Sequence, residues 1–162
     1  EGCFVQDALE KGYKLGFIGG GDHFGVALAG IYVENLTREG IFEALQKRRC
    51  FATTGIKLHI DFRLNNAFMG ETLRLSKDEK KIIYAKVLAP ESIYSIAIVR
   101  NNQDIYIHAG KSKEENFEYH DNESLKDLLQ KRENGAPSAY YYLRIILANG
   151  EMAWTSPIWV EE

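Results

Sequence analysis

The residues best suited to chemistry are Asp22 and His23, which close the glycine-rich run LGFIGGGDH. A carboxylate beside an imidazole supplies the ligand types of hydrolytic Zn, Mn or Fe sites, so the pair could hold a divalent metal. The simpler reading is a turn, because an Asp in a Gly-rich loop usually hydrogen-bonds its own backbone. A catalytic metal also takes about three protein ligands, and His59, His108 and His120 are scattered far along the chain. Nucleotide cradling fits less well. Gly16 and Gly21 are spaced as in a phosphate loop, but Asp22 and His23 stand where Lys and Ser or Thr are needed. A dinucleotide frame on Gly19 and Gly21 puts Phe24 at the third glycine.

Three further groups invite a functional reading, each with a structural alternative. Thr53 and Thr54, before Gly55, could turn hydroxyls toward a substrate or satisfy the backbone of a turn. Arg49, beside Arg48, could bind an anion or be a solvated charge at a helix C-terminus. Trp154 and Trp159, with Tyr140, Tyr141 and Tyr142, could form a carbohydrate platform. Alternation along strands sends some of these rings inward, which favours core packing.

The elements that would position these groups follow from periodicity. Residues 3–11 carry Phe4, Val5, Ala8 and Leu9 on one helical face, stopped by Gly12. Residues 15–18 are a short apolar run bounded by glycines, which predicts a buried strand, and 30–33 predict a second. Thr37 is a good N-cap for a helix reaching about residue 49, with Ile41, Phe42 and Leu45 as its inward stripe. Beyond residue 55 the period becomes two. Leu58, Ile60, Phe62 and Leu64 alternate with polar residues, and 82–88 read as the next strand. Hairpins are predicted at Asn101-Asn102 and Asn149-Gly150, and 158–160 close the chain. About seven short strands at regular spacing suggest a β-sandwich. Leucines 125, 128 and 129 break the pattern and predict a helix over 124–132, with 111–116 a polar loop.

Composition narrows the classes. The 162 residues are 45% hydrophobic and 27% charged, an ordinary globular balance. A net charge of -3 supplies no basic field for a phosphate backbone, so nucleic acid is not an expected partner. No apolar run approaches the roughly 20 residues that cross a bilayer as a helix, so no membrane partner is expected. Two cysteines, Cys3 and Cys50, lack zinc-finger spacing; a bridge between them is conceivable but has nothing in its favour.

The order GYKLGFIGGGDH, LTREGIFEALQKRRCFATTG, LHIDFRLNN and YYYLRIILANGEMAWTSPIWV resembles the C-terminal part of large bacterial PHP-like metal-dependent hydrolases. These are relatives of the polymerase-and-histidinol-phosphatase phosphoesterases. The resemblance implies an α/β segment at residues 1–55 that completes a (β/α) barrel. An antiparallel β-sandwich of Ig or fibronectin type would occupy 56–162. An Asp-x-His motif in that family holds metal, which maps to Asp22 and His23, here adjacent. The implied function is the last ligand motif of a metal-dependent phosphoesterase-like hydrolase, inactive as an isolated piece. The divalent metal (Zn, Mn or Fe) would belong to the intact protein. Partners implied are the remainder of the barrel, or a second copy through dimerisation or swapping. The alternative is a non-enzymatic β-sandwich module that binds carbohydrate or protein.

Overall fold

The computed structural model describes residues 4–23 and 25–162; Cys3 and Phe24 lie outside them, and with Cys3 the conceivable Cys3–Cys50 bridge. In chain order the elements are α1 (Val5–Glu10), β1 (Leu28–Ile31), α2 (Arg38–Gln46), β2 (Cys50–Thr53), β3 (His59–Leu64), β4 (Ala67–Phe68) and β5 (Thr72–Arg74). They continue with β6 (Lys81–Leu88), β7 (Ile93–Arg100), β8 (Gln103–Ala109), β9 (Glu114–Asp121), α3 (Leu125–Leu128), β10 (Ala139–Leu147), β11 (Met152–Thr155) and β12 (Ile158–Glu161).

Two sheets share one core. The smaller runs β4-β3-β6-β9 and is antiparallel throughout. The larger is built on β10, with β7 and then β8 along one edge and β11 and β12 along the other. β11 and β12 are one line broken at Ser156-Pro157. The register slips there by one residue, from Arg144↔Trp154 to Tyr141↔Ile158. Proline has no ladder donor, so a break at this point is expected. Outside this line β2 pairs with β11 and β1 with β2, and β5 runs parallel to β12.

The alternation of β3 and β6 aims Ile60, Phe62, Leu64, Ile83, Ala85 and Val87 into the core. Ile96, Ile98, Leu143 and Ile145 of the larger sheet meet them there. The opposite face of β10 is covered as well. Tyr140, Tyr142 and Trp159 pack against Leu9 of α1, with Phe17 beside them. The Phe17 ring stands edge-on to Tyr142 with centroids 5.6 Å apart.

This architecture overturns the expected barrel fragment. β1 and β2 pair antiparallel, and β2 pairs antiparallel with β11, so residues 1–55 supply strands to the same large sheet. A barrel segment would need parallel strands joined by crossover helices; the described helices are three and short. The predicted buried strand at 15–18 forms no ladder. It crosses the outer face of the sheet, with the Phe17 N–H donating to Ser156 Oγ at 2.9 Å. The Cys50–Thr53 segment, read as a helix end and turn, is instead β2. With eight strands and one parallel pair, the large sheet also departs from the seven-strand immunoglobulin pattern. The coarser statement stands: a β-rich chain with two facing sheets.

Smaller departures have local causes. α3 is a single turn, since Gln130 leaves it to bridge Ser138. β9 begins inside the expected polar loop: Glu115, Phe117 and Tyr119 alternate with more exposed polar neighbours. The hairpin turns form as expected, with positive φ at Asn101, Asn102 and Gly150. α2 is capped by Thr37, whose Oγ1 accepts from Gly40 N–H at 3.0 Å. Its inward residue is Ala44, while Phe42 of the expected inward stripe is 61% exposed.

Polar contacts also tie the sheets together. Asp121 of β9 accepts from Arg100 of β7 at 2.8 and 2.9 Å and from the Tyr141 hydroxyl of β10 at 2.7 Å. Burial pushes the Asp121 carboxyl up, but the hydrogen bonds from Tyr141 and Arg100 outweigh it and hold it low. Glu115 of β9 meets His108 of β8 at 2.9 Å and accepts from the N–H groups of Lys111 and Ser112. The His108 contact, with those N–H groups, lowers its pKa from 4.5 to about 2.

A carboxyl whose pKa is depressed on folding adds stability that is fully present above its unfolded value. For Glu115 that contribution is present above pH 4.5 and drains away as pH falls toward about 2. Chemical denaturation of wild type and Glu115→Gln across this range checks it: the gap between them should close on acidification. A constant gap would contradict the assignment.

Candidate functional site

Asp22 and His23 stand at the tip of the loop between the crossing segment and β1. The side chains are 93% and 85% exposed, with Asp22 Oδ1 3.7 Å from His23 Nε2. Nothing desolvates them. The loop base is fixed by close backbone packing. A Cβ at Gly19 would lie 2.5 Å from Leu28 O and 2.9 Å from Thr53 O. Gly55, at φ 142°, packs against Val26. The loop therefore rises from the open end of the β1–β2 hairpin, beside the turn at residues 53–55.

The other sequence-derived candidates divide between the two ends of that hairpin. Thr53 is buried, and its Oγ1 accepts from Gly55 N–H at 3.2 Å. The Thr54 hydroxyl donates to the Glu151 carboxylate and accepts from Met152 N–H at 2.9 Å. Both hydroxyls are thus committed to holding the turn, the structural alternative of the sequence reading. Arg49 lies at the other end of β2, on the order of 13 Å away for a four-residue strand. It faces Glu71 at 3.7 Å and lines a polar cleft of about 340 Å³ with Tyr32, Arg63 and Asn66. The Tyr32 hydroxyl is held by the backbone of Ile60, and burial pushes its pKa up to about 12. Arg48 lies over the Trp159 ring at 5.3 Å.

The fold brings Asp22, His23, Thr53 and Thr54 to one end and leaves Arg49 at the other. The aromatic residues go to the interior: Tyr140, Tyr141, Tyr142 and Trp159 are buried, and Trp154 is half-buried. Among the described residues no group of three or more His, Cys, Asp or Glu is placed to hold a metal ion. The donor chemistry of Asp22 and His23 suits a divalent cation, and the pair by itself makes part of a coordination shell. No helix among the described residues is long and apolar enough to cross a membrane.

Sequence reasoning missed a groove next to this loop. It has a volume of about 430 Å³ and is lined by Val5, Leu9, Leu15, Ile18, Tyr142 and Trp154 among others. Reading 15–18 as a buried strand hid it, since that reading removes Leu15 and Ile18 from the surface.

Residues 10–92 match the model of a family described as a protein of unknown function (DUF3604), and the chain belongs to that family. It is also similar to uncharacterized proteins of Chlamydia. Identity is 31% to one of Chlamydia trachomatis serovar D, 32% to one of Chlamydia pneumoniae and 29% to one of Chlamydia muridarum. Each alignment covers 97% of this chain and 28% of the relative, so the chain spans little more than a quarter of their length. No solved structure matches.

The packing at the loop base makes a specific demand. Gly19→Ala should destabilise the protein by about 1–3 kcal/mol, because the new methyl meets two fixed carbonyls. Gly20→Ala, with open space around its Cβ position, should stay within about 0.5 kcal/mol of wild type. Urea denaturation of the two variants side by side checks this; equal midpoints would contradict the described loop base.

Proposed function

We propose that this chain is one region of a longer metal-dependent hydrolase of the phosphoesterase type, and that Asp22 and His23 are two of its metal ligands. The observation that carries the reading is the exposed carboxylate–imidazole pair on a loop with a rigid base. Side chains exposed this way, with nothing to solvate them but water, are available to a ligand shell completed by another segment. The 28% coverage of the relatives leaves room for such a segment in a protein of their length. The resemblance of GGGDH and the flanking stretches to PHP-like hydrolases supports the choice of chemistry.

When bound, a divalent cation would polarise a phosphoryl oxygen and lower the pKa of a bound water. Asp22 and His23 would hold the cation and would not themselves move a proton. The loop base, through Gly19 against β1 and β2, would fix the direction in which the two donors point. Thr53 and Thr54 would act through the turn and would not touch substrate, since their hydroxyls already have partners.

Elemental analysis of the intact protein tests this. Stoichiometric Zn, Mn or Fe should be present in wild type and fall sharply in the Asp22→Ala/His23→Ala double variant. The 162-residue chain alone should show no phosphomonoester hydrolysis. Equal metal content in wild type and variant would overturn the ligand assignment, and turnover by the isolated chain lost on Asp22→Ala would overturn the claim of incompleteness.

A further inference from the structure

Exposed apolar side chains are unevenly distributed along this chain. Among the described residues twelve large hydrophobic side chains are exposed; nine fall between Phe4 and Leu45, and Leu88, Tyr94 and Ile107 lie beyond. Beyond Leu45 few large apolar side chains are left exposed, whereas the stretch before it leaves many in solvent. The excess is concentrated where α1 and the crossing segment lie over the outer face of the large sheet. Ile18 is 62% exposed, Leu15 and Val5 are also exposed, and the apolar groove opens between them. Its floor is firm, made by Leu9, Tyr142 and Trp154, all held against the sheet. Contiguous apolar surface over a rigid floor marks an interaction site.

We infer that this groove is the docking face for another segment of the same, longer polypeptide, one that presents aliphatic or aromatic side chains to it. Two observations select this occupant over an unrelated protein. The relatives that align with 97% of this chain are more than three times its span, so proteins of this kind carry a large further region on the same polypeptide. The groove also shares its wall with the functional loop: Ile18 lines it, and Asp22 and His23 follow four and five residues later. A segment seated on Ile18 would therefore lie next to the two donors, which need further ligands from elsewhere. The second observation rests on the proposed ligand assignment and the first does not; the test needs no bound metal, so failure of the docking face and failure of the ligand assignment are distinguishable.

Hydroxyl-radical footprinting of side chains tests it, comparing the 162-residue chain with the intact protein, both treated with chelator. Modification of Val5, Leu15 and Ile18 should drop by roughly tenfold in the intact protein, while Tyr94 and Ile107 should react equally in both. Equal reactivity of the groove residues would overturn the inference. Protection already present in the short chain and rising with its concentration would assign the groove to a second copy and overturn it too. A paired substitution guards against misfolding of the short chain. In the intact protein Ile18→Asp should lower the melting temperature by several degrees, and Ile107→Asp should leave it unchanged. Equal melting temperatures for the two variants would also overturn it.

Discussion

β10 is buried on both faces, and the rest of the structure follows from that constraint. Its odd-numbered residues from Ala139 to Leu147 face the smaller sheet, while Tyr140 and Tyr142 face away. Two aromatic rings on the far side of a sheet need a cover, because each carries a large apolar area that favours leaving water. The cover is α1 and the chain that follows it. Leu9 and Phe17 pack onto those rings, and the Phe17 N–H is anchored to Ser156, the residue at the break in the neighbouring strand line. The N-terminal region is therefore part of the same fold as the sheets: α1 and Phe17 are anchored on β10, and the loop base that follows packs against β1 and the turn after β2.

That dependence explains which parts of the fold were legible in the sequence. Strands with one wet face announce themselves by alternation, so β3 and the two asparagine hairpins could be read directly. β10 could be placed as a strand, but AYYYLRIIL does not say what lies on its second face. The run at 15–18 looks like a buried strand because it is apolar and flanked by glycines. In fact it lies flat over other side chains, and only the tertiary partner decides between these outcomes. β9 was hidden by its charges, since Glu115 and Asp121 are inward-facing carboxylates stabilised by His108 and by Arg100 with Tyr141. A sequence shows such carboxylates but not the hydrogen-bonding partners they meet across the sandwich.

The candidate site shows the same division. The chemistry of Asp22 and His23 could be read from residue type, and their exposure fits a role that calls for solvent or a partner. The hydroxyls of Thr53 and Thr54 were ambiguous because a turn and a substrate use the same atoms; the contacts to Gly55, Glu151 and Met152 decide for the turn. Arg49 is near them in sequence and not in space, since β2 runs between. The barrel expectation failed for a related reason. An α/β rhythm along the chain does not fix strand direction, and here β1 and β2 turn back on one another.

The central proposal is that Asp22 and His23, on a loop whose base packs against β1 and the turn after β2, are two donors of a metal shell completed elsewhere. An anomalous-scattering map from crystals of the intact protein grown with Zn is the most direct test. The account predicts a peak at about 2.0–2.2 Å from a ring nitrogen of His23 and a carboxylate oxygen of Asp22, with the remaining ligands from residues outside these 162. A metal peak away from the loop, with Asp22 and His23 still in solvent, would contradict it.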